Sequence, residues 1–276
     1  MDDRTQTSKK AVSYSSAAEI EAAIDRLVSV PQLLIALDFD GTLAPEVDDP
    51  LEARALPEAQ AQLLRMLELT DTRLALVSGR ALDSLSHVAH LGDRVLLGGS
   101  HGLEYRLDDG DSVLPMSDDD AKALAKLDAL MHELADSADG AWVELKPAGR
   151  ALHVRLSSAN DAERLVAETL AGVEAEIPGL TTRIGKNVVE FAIHSADKGD
   201  AIERLRDYVG ADAVFFAGDD TTDEDAIVAL GPNDLGVRVG DAPSAAQLRV
   251  AGTRQIAELL MMLADRREAA VAARTN

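Results

Sequence analysis

The sequence predicts an α/β protein with a doubly wound parallel-sheet (Rossmann-like) core and an inserted α+β antiparallel cap domain. Two observations predict this fold class. Short apolar segments alternate with helix-like segments near both ends of the chain, whereas the middle shows paired strand-like segments, each pair followed by a helix-like one. The alternation of strand-like and helix-like segments favours parallel strands joined by helices. We therefore predict a core of residues 1–108 and 195–276, with residues 109–194 as the cap.

The first part of the core reads as a helix followed by alternating strands and helices. Ile20, Ile24 and Leu27 recur at helical spacing, and Pro31 ends that segment. Pro57 occupies a first helical position and opens the next helix. Apolar runs predict strands at 33–37, 73–77 and 95–97.

The middle of the chain changes pattern after His101. A turn over 108–111 predicts a hairpin, and the long segment 118–135 carries apolar residues at helical spacing. The remaining cap predictions are strands at 142–146 and 151–156, a helix at 161–170 and a hairpin over 181–193. The alternating pattern then returns with helices at 199–208, 224–230 and 253–271 and strands at 213–217 and 235–239.

Composition excludes several kinds of partner. The net charge of −22 argues against nucleic acid and against an anionic membrane surface. Met1 to Lys10 shows no secretory signal pattern, and no stretch approaches the roughly 18 apolar residues of a membrane span. The chain has no cysteine, so it forms no disulfide, in agreement with a reducing compartment. We predict a cytoplasmic protein and favour a monomer.

The first strand ends in two carboxylates. Asp38 and Asp40 follow the apolar run 33–37 and are separated by one aromatic residue. Residues two apart on an extended chain point to the same side, so the two like charges repel unless a cation or a shared proton separates them. This pattern predicts a divalent metal.

Three other segments at strand ends carry reactive groups. They are Ser78 to Arg80, Asp197 to Gly199 and the acidic run Asp219 to Asp225. Ligands of open doubly wound sheets bind at the carboxyl ends of the strands, so these segments should meet in one site. The combined set offers a nucleophile, an acid/base group, a hydroxyl, a cation and oxygen ligands suited to Mg²⁺, which fits phosphoryl transfer.

Together, the four segments resemble the motifs of the haloacid dehalogenase superfamily of aspartate-nucleophile phosphohydrolases. The resemblance implies that Asp38 attacks phosphorus and that Asp40 serves as acid and then base. It also implies that Ser78 and Lys198 bind phosphoryl oxygens. The implied Mg²⁺ ligands are Asp38, the backbone carbonyl of Asp40 and Asp219, with Asp220 and Asp223 in support.

Two further residues near the predicted site have candidate roles. Arg80 either contacts substrate or pairs with a surface carboxylate, and the sequence favours neither. His101 is the one histidine for which we predict a substrate contact, because its glycine-flanked turn follows a strand of the core.

The cap is expected to select the substrate. Glu144 and Lys146 share one face of a predicted strand, and Lys186 and Glu190 share a face if that segment is extended. A salt-bridged solvent face would give the same pattern. With the segment 99–104, these residues resemble the trehalose-6-phosphate phosphatases, which implies hydrolysis of trehalose 6-phosphate.

The cap also departs from that family. Relatives often read His-Tyr-Arg where this chain has His153-Val154-Arg155. The departure leaves open another sugar phosphate as substrate. A phosphohexomutase and a non-catalytic sugar-phosphate sensor are the remaining alternatives.

Overall fold

The computed structural model describes residues 13–47, 49–114, 116–193 and 197–275, and within them it forms two sheets. The larger sheet has eight strands and the smaller has four. The secretory-signal prediction for Met1 to Lys10 and the predicted boundary at 194/195 lie outside these residues. Among the described helices, none has both the length and the apolar composition needed to cross a bilayer.

The larger sheet is parallel over six of its strands. In chain order the strands are β1 (Leu33–Leu37), β2 (Thr72–Val77), β3 (Leu96–Gly99), β4 (Glu104–Leu107), β5 (Gly110–Val113), β10 (Ala213–Gly218), β11 (Leu235–Val239) and β12 (Leu248–Val250). Their spatial order is β12-β11-β10-β1-β2-β3-β4-β5. Since β1 lies between β10 and β2 and pairs with both in parallel, it stands where the direction of winding reverses.

Helices cover both faces of this sheet. They are α1 (Ala17–Leu27), α2 (Pro57–Met66), α3 (Leu82–Ala89), α6 (Lys198–Val209), α7 (Asp223–Ala229) and α8 (Thr253–Thr275). Alternate residues of β1 divide between two buried clusters: Ile35 packs with residues of α1, α2, α3 and α8, whereas Leu34 packs with residues of α6 and α7. The doubly wound core predicted from the sequence is therefore confirmed.

The smaller sheet is antiparallel and carries two helices on one face. Its order is β6 (Trp142–Lys146), β7 (Gly149–His153), β9 (Val188–Ala192) and β8 (Thr181–Gly185). Leu152 and Val189 are buried in one cluster with residues of α4 (Asp118–Asp136) and α5 (Ala159–Glu176). The opposite face of the sheet is left uncovered by these helices, and the predicted α+β cap is confirmed.

The hairpin of β4 and β5 joins the larger sheet rather than the smaller one. β4 pairs antiparallel with β3, and Tyr105 is buried in the cluster that includes Ile202 and Leu205 of α6. A cap boundary after residue 108 would therefore divide this hairpin. The turn signal at 108–111 gave no indication of which sheet the strands join. We propose that the cap begins after β5, near the start of α4.

Candidate active site

The tip of β1 places Asp38 in a buried ion-paired cluster. The Lys198 ammonium, at the start of α6, donates to Asp38 Oδ1 and to Asp223 Oδ1, each at 2.6 Å. All three side chains are almost completely buried. The backbone N–H of Asp38 donates to Ala217 O at 3.0 Å, which fixes the tip of β1 beside that of β10.

The carboxylates of this cluster carry more negative charge than the one lysine can neutralise. Burial raises the pKa of the Asp38 carboxyl, and the nearby Lys198 ammonium opposes that rise. Burial alone would lower the pKa of Lys198, but the charges of Asp38 and Asp223 raise it, so the lysine is cationic. One ammonium cannot neutralise both carboxylates and the neighbouring Asp219, whose pKa burial also raises.

A divalent cation fits this environment. Asp38, Asp219 and Asp223 each present a carboxylate oxygen, and these oxygens lie within 4.8 Å of one another. Hard oxygen donors with excess negative charge suit Mg²⁺. Asp219 is oriented by Thr42, whose Oγ1 donates to Asp219 Oδ1 at 3.1 Å. Gly41 has φ +78°, and a Cβ there would overlap the Asp219 carboxylate.

Asp220 does not join the three-carboxylate cluster. Its side chain is exposed and accepts a hydrogen bond from its neighbour, Thr221 N, at 2.6 Å. Its backbone N–H donates to Asp223 Oδ2 at 2.8 Å. The structure thus assigns Asp220 to the turn before α7, and the metal role implied for its side chain stays a prediction.

Asp40 points away from the cluster and toward Arg80. The guanidinium donates from Nε to Asp40 Oδ2 at 2.5 Å and from Nη2 to Asp40 Oδ1 at 2.6 Å, a bidentate pair. Arg80 is also held by Ser84 Oγ and lies over the Phe39 ring. Of the two roles open for Arg80, the structure therefore shows pairing with a carboxylate, and that carboxylate is the candidate acid/base.

Ser78 and His101 line the same cavity from adjacent turns. Ser78 is buried at the end of β2, and its backbone carbonyl accepts from His101 N at 3.0 Å. Both Ser100 and His101 have positive φ, 49° and 59°. The His101 ring lies against Gly79, where a Cβ would come within 2.7 Å of it.

The His101 ring is uncharged near neutral pH. Burial lowers its pKa to about 3, with further lowering by the positive charges of Arg183, Lys198 and Lys146. Its Nδ1 atom is buried without a hydrogen-bond partner among the described residues. In a neutral imidazole one ring nitrogen donates a hydrogen bond and the other accepts one, so His101 can still bind a polar ligand.

A cavity of about 530 Å³ joins these groups to the cap. Core residues of its lining include Asp38, Asp40, Ser78, Arg80, His101, Lys198 and Asp220, and the cap contributes Glu144. The cavity is large enough for a small-molecule substrate. Each of the four predicted segments thus contributes at least one residue to this cavity.

Two more predicted cap residues lie in an adjoining crevice. Lys146 Nζ donates to Glu190 Oε2 at 2.7 Å, and both side chains line the crevice together with His101. Arg183, which pairs across the strands with Glu190, lines it too. Sequence reasoning missed Arg183, although its strand position relative to Glu190 would have indicated it.

Lys186 is not brought to either space. It is exposed in the two-residue turn between β8 and β9, where Asn187 has φ +63°. The prediction that Lys186 shares a face with Glu190 assumed an extended chain, and the turn breaks that alternation. A contact between Lys186 and substrate is not supported by this geometry.

A second residue that sequence reasoning missed holds the acidic turn before α7 in place. Arg238, on β11, is buried and donates from Nη1 to Asp220 O at 2.7 Å and to Glu224 Oε1 at 3.2 Å. It therefore holds the turn that carries Asp219. An arginine inside an otherwise apolar strand is the signal that could have revealed it.

Comparison with known proteins agrees with this arrangement. The model of the trehalose-phosphatase family matches residues 36–254. The chain is 32% identical over 254 residues to a trehalose-phosphate phosphatase of Mycobacterium ulcerans, covering 86% of this chain and 63% of that protein. It is also 32% identical to a bifunctional trehalose-6-phosphate synthase/phosphatase of Thermoproteus tenax, covering 92% of this chain but 35% of that protein. The chain thus spans only part of these relatives.

Solved structures share the fold. The C-terminal domain of a Candida albicans trehalose-6-phosphate phosphatase superposes with a TM-score of 0.72 at 19% identity, over 93% of this chain and 99% of that one. A haloacid dehalogenase-like hydrolase from Bacteroides thetaiotaomicron gives 0.61 at 16% identity, over 83% and 98%. Given the extent of the family match, the chain belongs to the trehalose-phosphatase family, with the haloacid dehalogenase fold.

Proposed function

We propose that this chain is a Mg²⁺-dependent phosphatase that hydrolyses trehalose 6-phosphate to trehalose and phosphate through an aspartyl phosphate. The observation that carries the proposal is the single cavity in which the buried Asp38–Lys198 pair of the core meets Glu144 of the cap. The core groups suit phosphoryl transfer, and the charged cap groups suit hydrogen bonds to sugar hydroxyls.

In the first half-reaction a carboxylate oxygen of Asp38 attacks phosphorus. The bond from phosphorus to the sugar oxygen breaks as the new bond to Asp38 forms, and the departing alkoxide takes a proton from Asp40. Lys198 and Ser78 offer donors to the phosphoryl oxygens and hold the group in line. In the structure Arg80 pairs with both carboxylate oxygens of Asp40, so substrate binding must open this pair before an Asp40 oxygen can approach the leaving oxygen.

In the second half-reaction water attacks the phosphorus of the aspartyl phosphate. Asp40, now a carboxylate, accepts the proton of that water, and the Asp38 carboxylate is regenerated as phosphate leaves. The same pair of aspartates thus serves both steps. Closure of the cap over the sugar would keep other water out of the cavity.

Asp38, Asp219 and Asp223 are the side chains suited to hold the metal, with the Asp40 carbonyl as a further predicted ligand. A bound Mg²⁺ would offset the charge of the carboxylates and of the phosphoryl oxygens. Independently of it, Lys198 ties Asp38 to Asp223 and orients the nucleophile.

The proposal is tested by phosphate release from a panel of sugar phosphates, with Mg²⁺ and with chelator. We expect trehalose 6-phosphate to be the best substrate and chelation to abolish turnover. A preference for another sugar phosphate would overturn the substrate assignment. Isomerisation without phosphate release would indicate a phosphohexomutase, and binding without turnover a sensor. The cytoplasmic location and the monomeric state stay predictions.

A further inference from the structure

An aromatic pair stands on the uncovered face of the cap sheet. Trp142 of β6 and His153 of β7 lie directly opposite each other, with ring centroids 4.7 Å apart and ring planes 4° from parallel. The imidazole covers part of the indole, yet Trp142 remains 41% exposed. The stacked indole thus presents a flat apolar surface to solvent.

Trp142 lies on the same face of the sheet as two residues that line the candidate site. Trp142, Glu144 and Lys146 alternate along β6 and therefore project from one side of the sheet. Glu144 lines the active-site cavity and Lys146 lines the crevice beside His101. The cap helices pack on the other side, against Leu152 and Val189.

A hydrogen bond fixes the orientation of the pair. His153 Nε2 and Glu144 Oε2 are 2.8 Å apart, so the residue that reaches the cavity also holds the ring on which the indole is stacked. Successive same-face residues of a strand are about 6.6 Å apart, so Trp142 continues the row begun by Lys146 and Glu144. Along this row, the charged side chains of Lys146 and Glu144 are followed by the apolar ring of Trp142.

This combination matches the chemistry of a sugar ring, which has apolar C–H faces and a polar rim of hydroxyls. A flat indole can bury a C–H face while a neighbouring carboxylate accepts from the hydroxyls. We propose that Trp142, held by His153 and Glu144, is the platform on which the sugar ring farther from the phosphate stacks. It thereby favours a disaccharide phosphate over a monosaccharide phosphate, and this inference rests on the function proposed above.

The kinetic test compares Trp142→Ala, Trp142→Phe and Leu145→Ala. Leu145 is the matched control because it lies on the same strand, three residues after Trp142. Its side chain is 64% exposed and projects from the opposite face of the sheet. We expect Trp142→Ala to raise KM for trehalose 6-phosphate about tenfold with little change in kcat, and Trp142→Phe to restore most of the loss. Leu145→Ala should match the wild type.

Two inhibitors separate stacking from general damage. Trehalose carries the second ring without phosphate, and glucose 6-phosphate carries the phosphate without the second ring. In Trp142→Ala the inhibition constant of trehalose should rise about tenfold, whereas that of glucose 6-phosphate should stay unchanged. An equal rise for both inhibitors would overturn the proposal, because it would show a disturbed site rather than a lost platform.

The single tryptophan gives a direct binding signal. Because Trp142 is the only tryptophan in the chain, the intrinsic fluorescence of the wild type reports on this position alone. Trehalose should shift the emission saturably, and glucose 6-phosphate should not. An unshifted emission and an unchanged KM in Trp142→Ala, with trehalose 6-phosphate still the preferred substrate, would overturn the platform and leave the proposed function intact. A wild type without that preference would overturn the proposed function itself.

Discussion

At the scale of single residues, Gly41 is the position where the backbone most directly shapes the proposed metal site. Its φ is +78°, and a Cβ there would overlap the Asp219 carboxylate. We predict that Gly41→Ala lowers kcat/KM at least about a hundredfold, because a shift of about 1 Å in a reacting group has that effect. Steady-state kinetics and calorimetric titration with Mg²⁺ would measure the loss.

Gly92→Ala is the control for this substitution. Gly92 has a similar φ of +72°, but a Cβ there would meet nothing within 4 Å. It should cost about 1–2 kcal/mol of folding free energy from the backbone alone and leave turnover nearly unchanged. If both variants lost activity equally, backbone strain rather than displacement of Asp219 would be the cause.

His101 gives a pH prediction at the same scale. Its pKa is lowered to about 3 in the folded protein, mainly by burial, from 6.5. Between these values the unfolded chain binds a proton that the folded chain does not, so stability rises with pH across this window and falls as acid is added. The slope from this one group is at most about 1.4 kcal/mol per pH unit.

Urea unfolding of the wild type and of His101→Gln between pH 4 and pH 7 would measure this slope. We expect the wild type to lose stability more steeply than the variant as pH falls, because glutamine does not titrate. Parallel curves for the two proteins would contradict the assigned pKa.

At the scale of elements, the β8–β9 hairpin decides which basic residue lies beside the candidate site. Arg183 lies on the strand beside Glu190 and lines the crevice next to His101, whereas Lys186 is exposed in the turn. We predict that Arg183→Ala raises KM for trehalose 6-phosphate about tenfold, the loss of one charge-assisted hydrogen bond, and that Lys186→Ala changes it less than about twofold. Steady-state kinetics of the two variants, each the control for the other, would decide.

The hairpin also shows where sequence reasoning ends. Alternation placed Glu144 and Lys146 on one face correctly, because both lie within a regular strand whose register follows from a period of two. Lys186 was misplaced because the chain reverses at that point, and β12 was missed because three residues are too few to show a period. Turn geometry and strand pairing depend on distant parts of the chain, so local pattern does not reveal them.

At the scale of the whole molecule, the site is assembled from both ends of the sequence. Asp38 and Lys198 are 160 residues apart, and the predicted fold class brought them together because parallel strands share one edge. The motifs therefore predicted which core side chains lie close together. They did not predict the Arg80–Asp40 pair or the contacts of Arg238, because these partners are set by the pairing of β1 with β2 and of β10 with β11 rather than by the local sequence.

Metal binding should stabilise the folded molecule. The three carboxylates come together only in the folded chain, so a cation that they bind stabilises that state. At a cation concentration of a hundred times the dissociation constant, the free energy of unfolding should rise by about 2.7 kcal/mol. We predict that Mg²⁺ raises the melting temperature by about 5 °C and that chelator reverses the effect. Asp219→Asn should show little of this rise, and an equal rise in that variant would place the metal elsewhere.

We propose above that trehalose 6-phosphate transfers its phosphoryl group to Asp38. It is tested most directly by mixing the enzyme with radiolabelled trehalose 6-phosphate and Mg²⁺, quenching in acid within milliseconds and mapping the label by mass spectrometry. We predict a phosphorylated Asp38 in the wild type and no label in a folded Asp38→Asn variant. Turnover without a labelled enzyme, or a label on another residue, would contradict it.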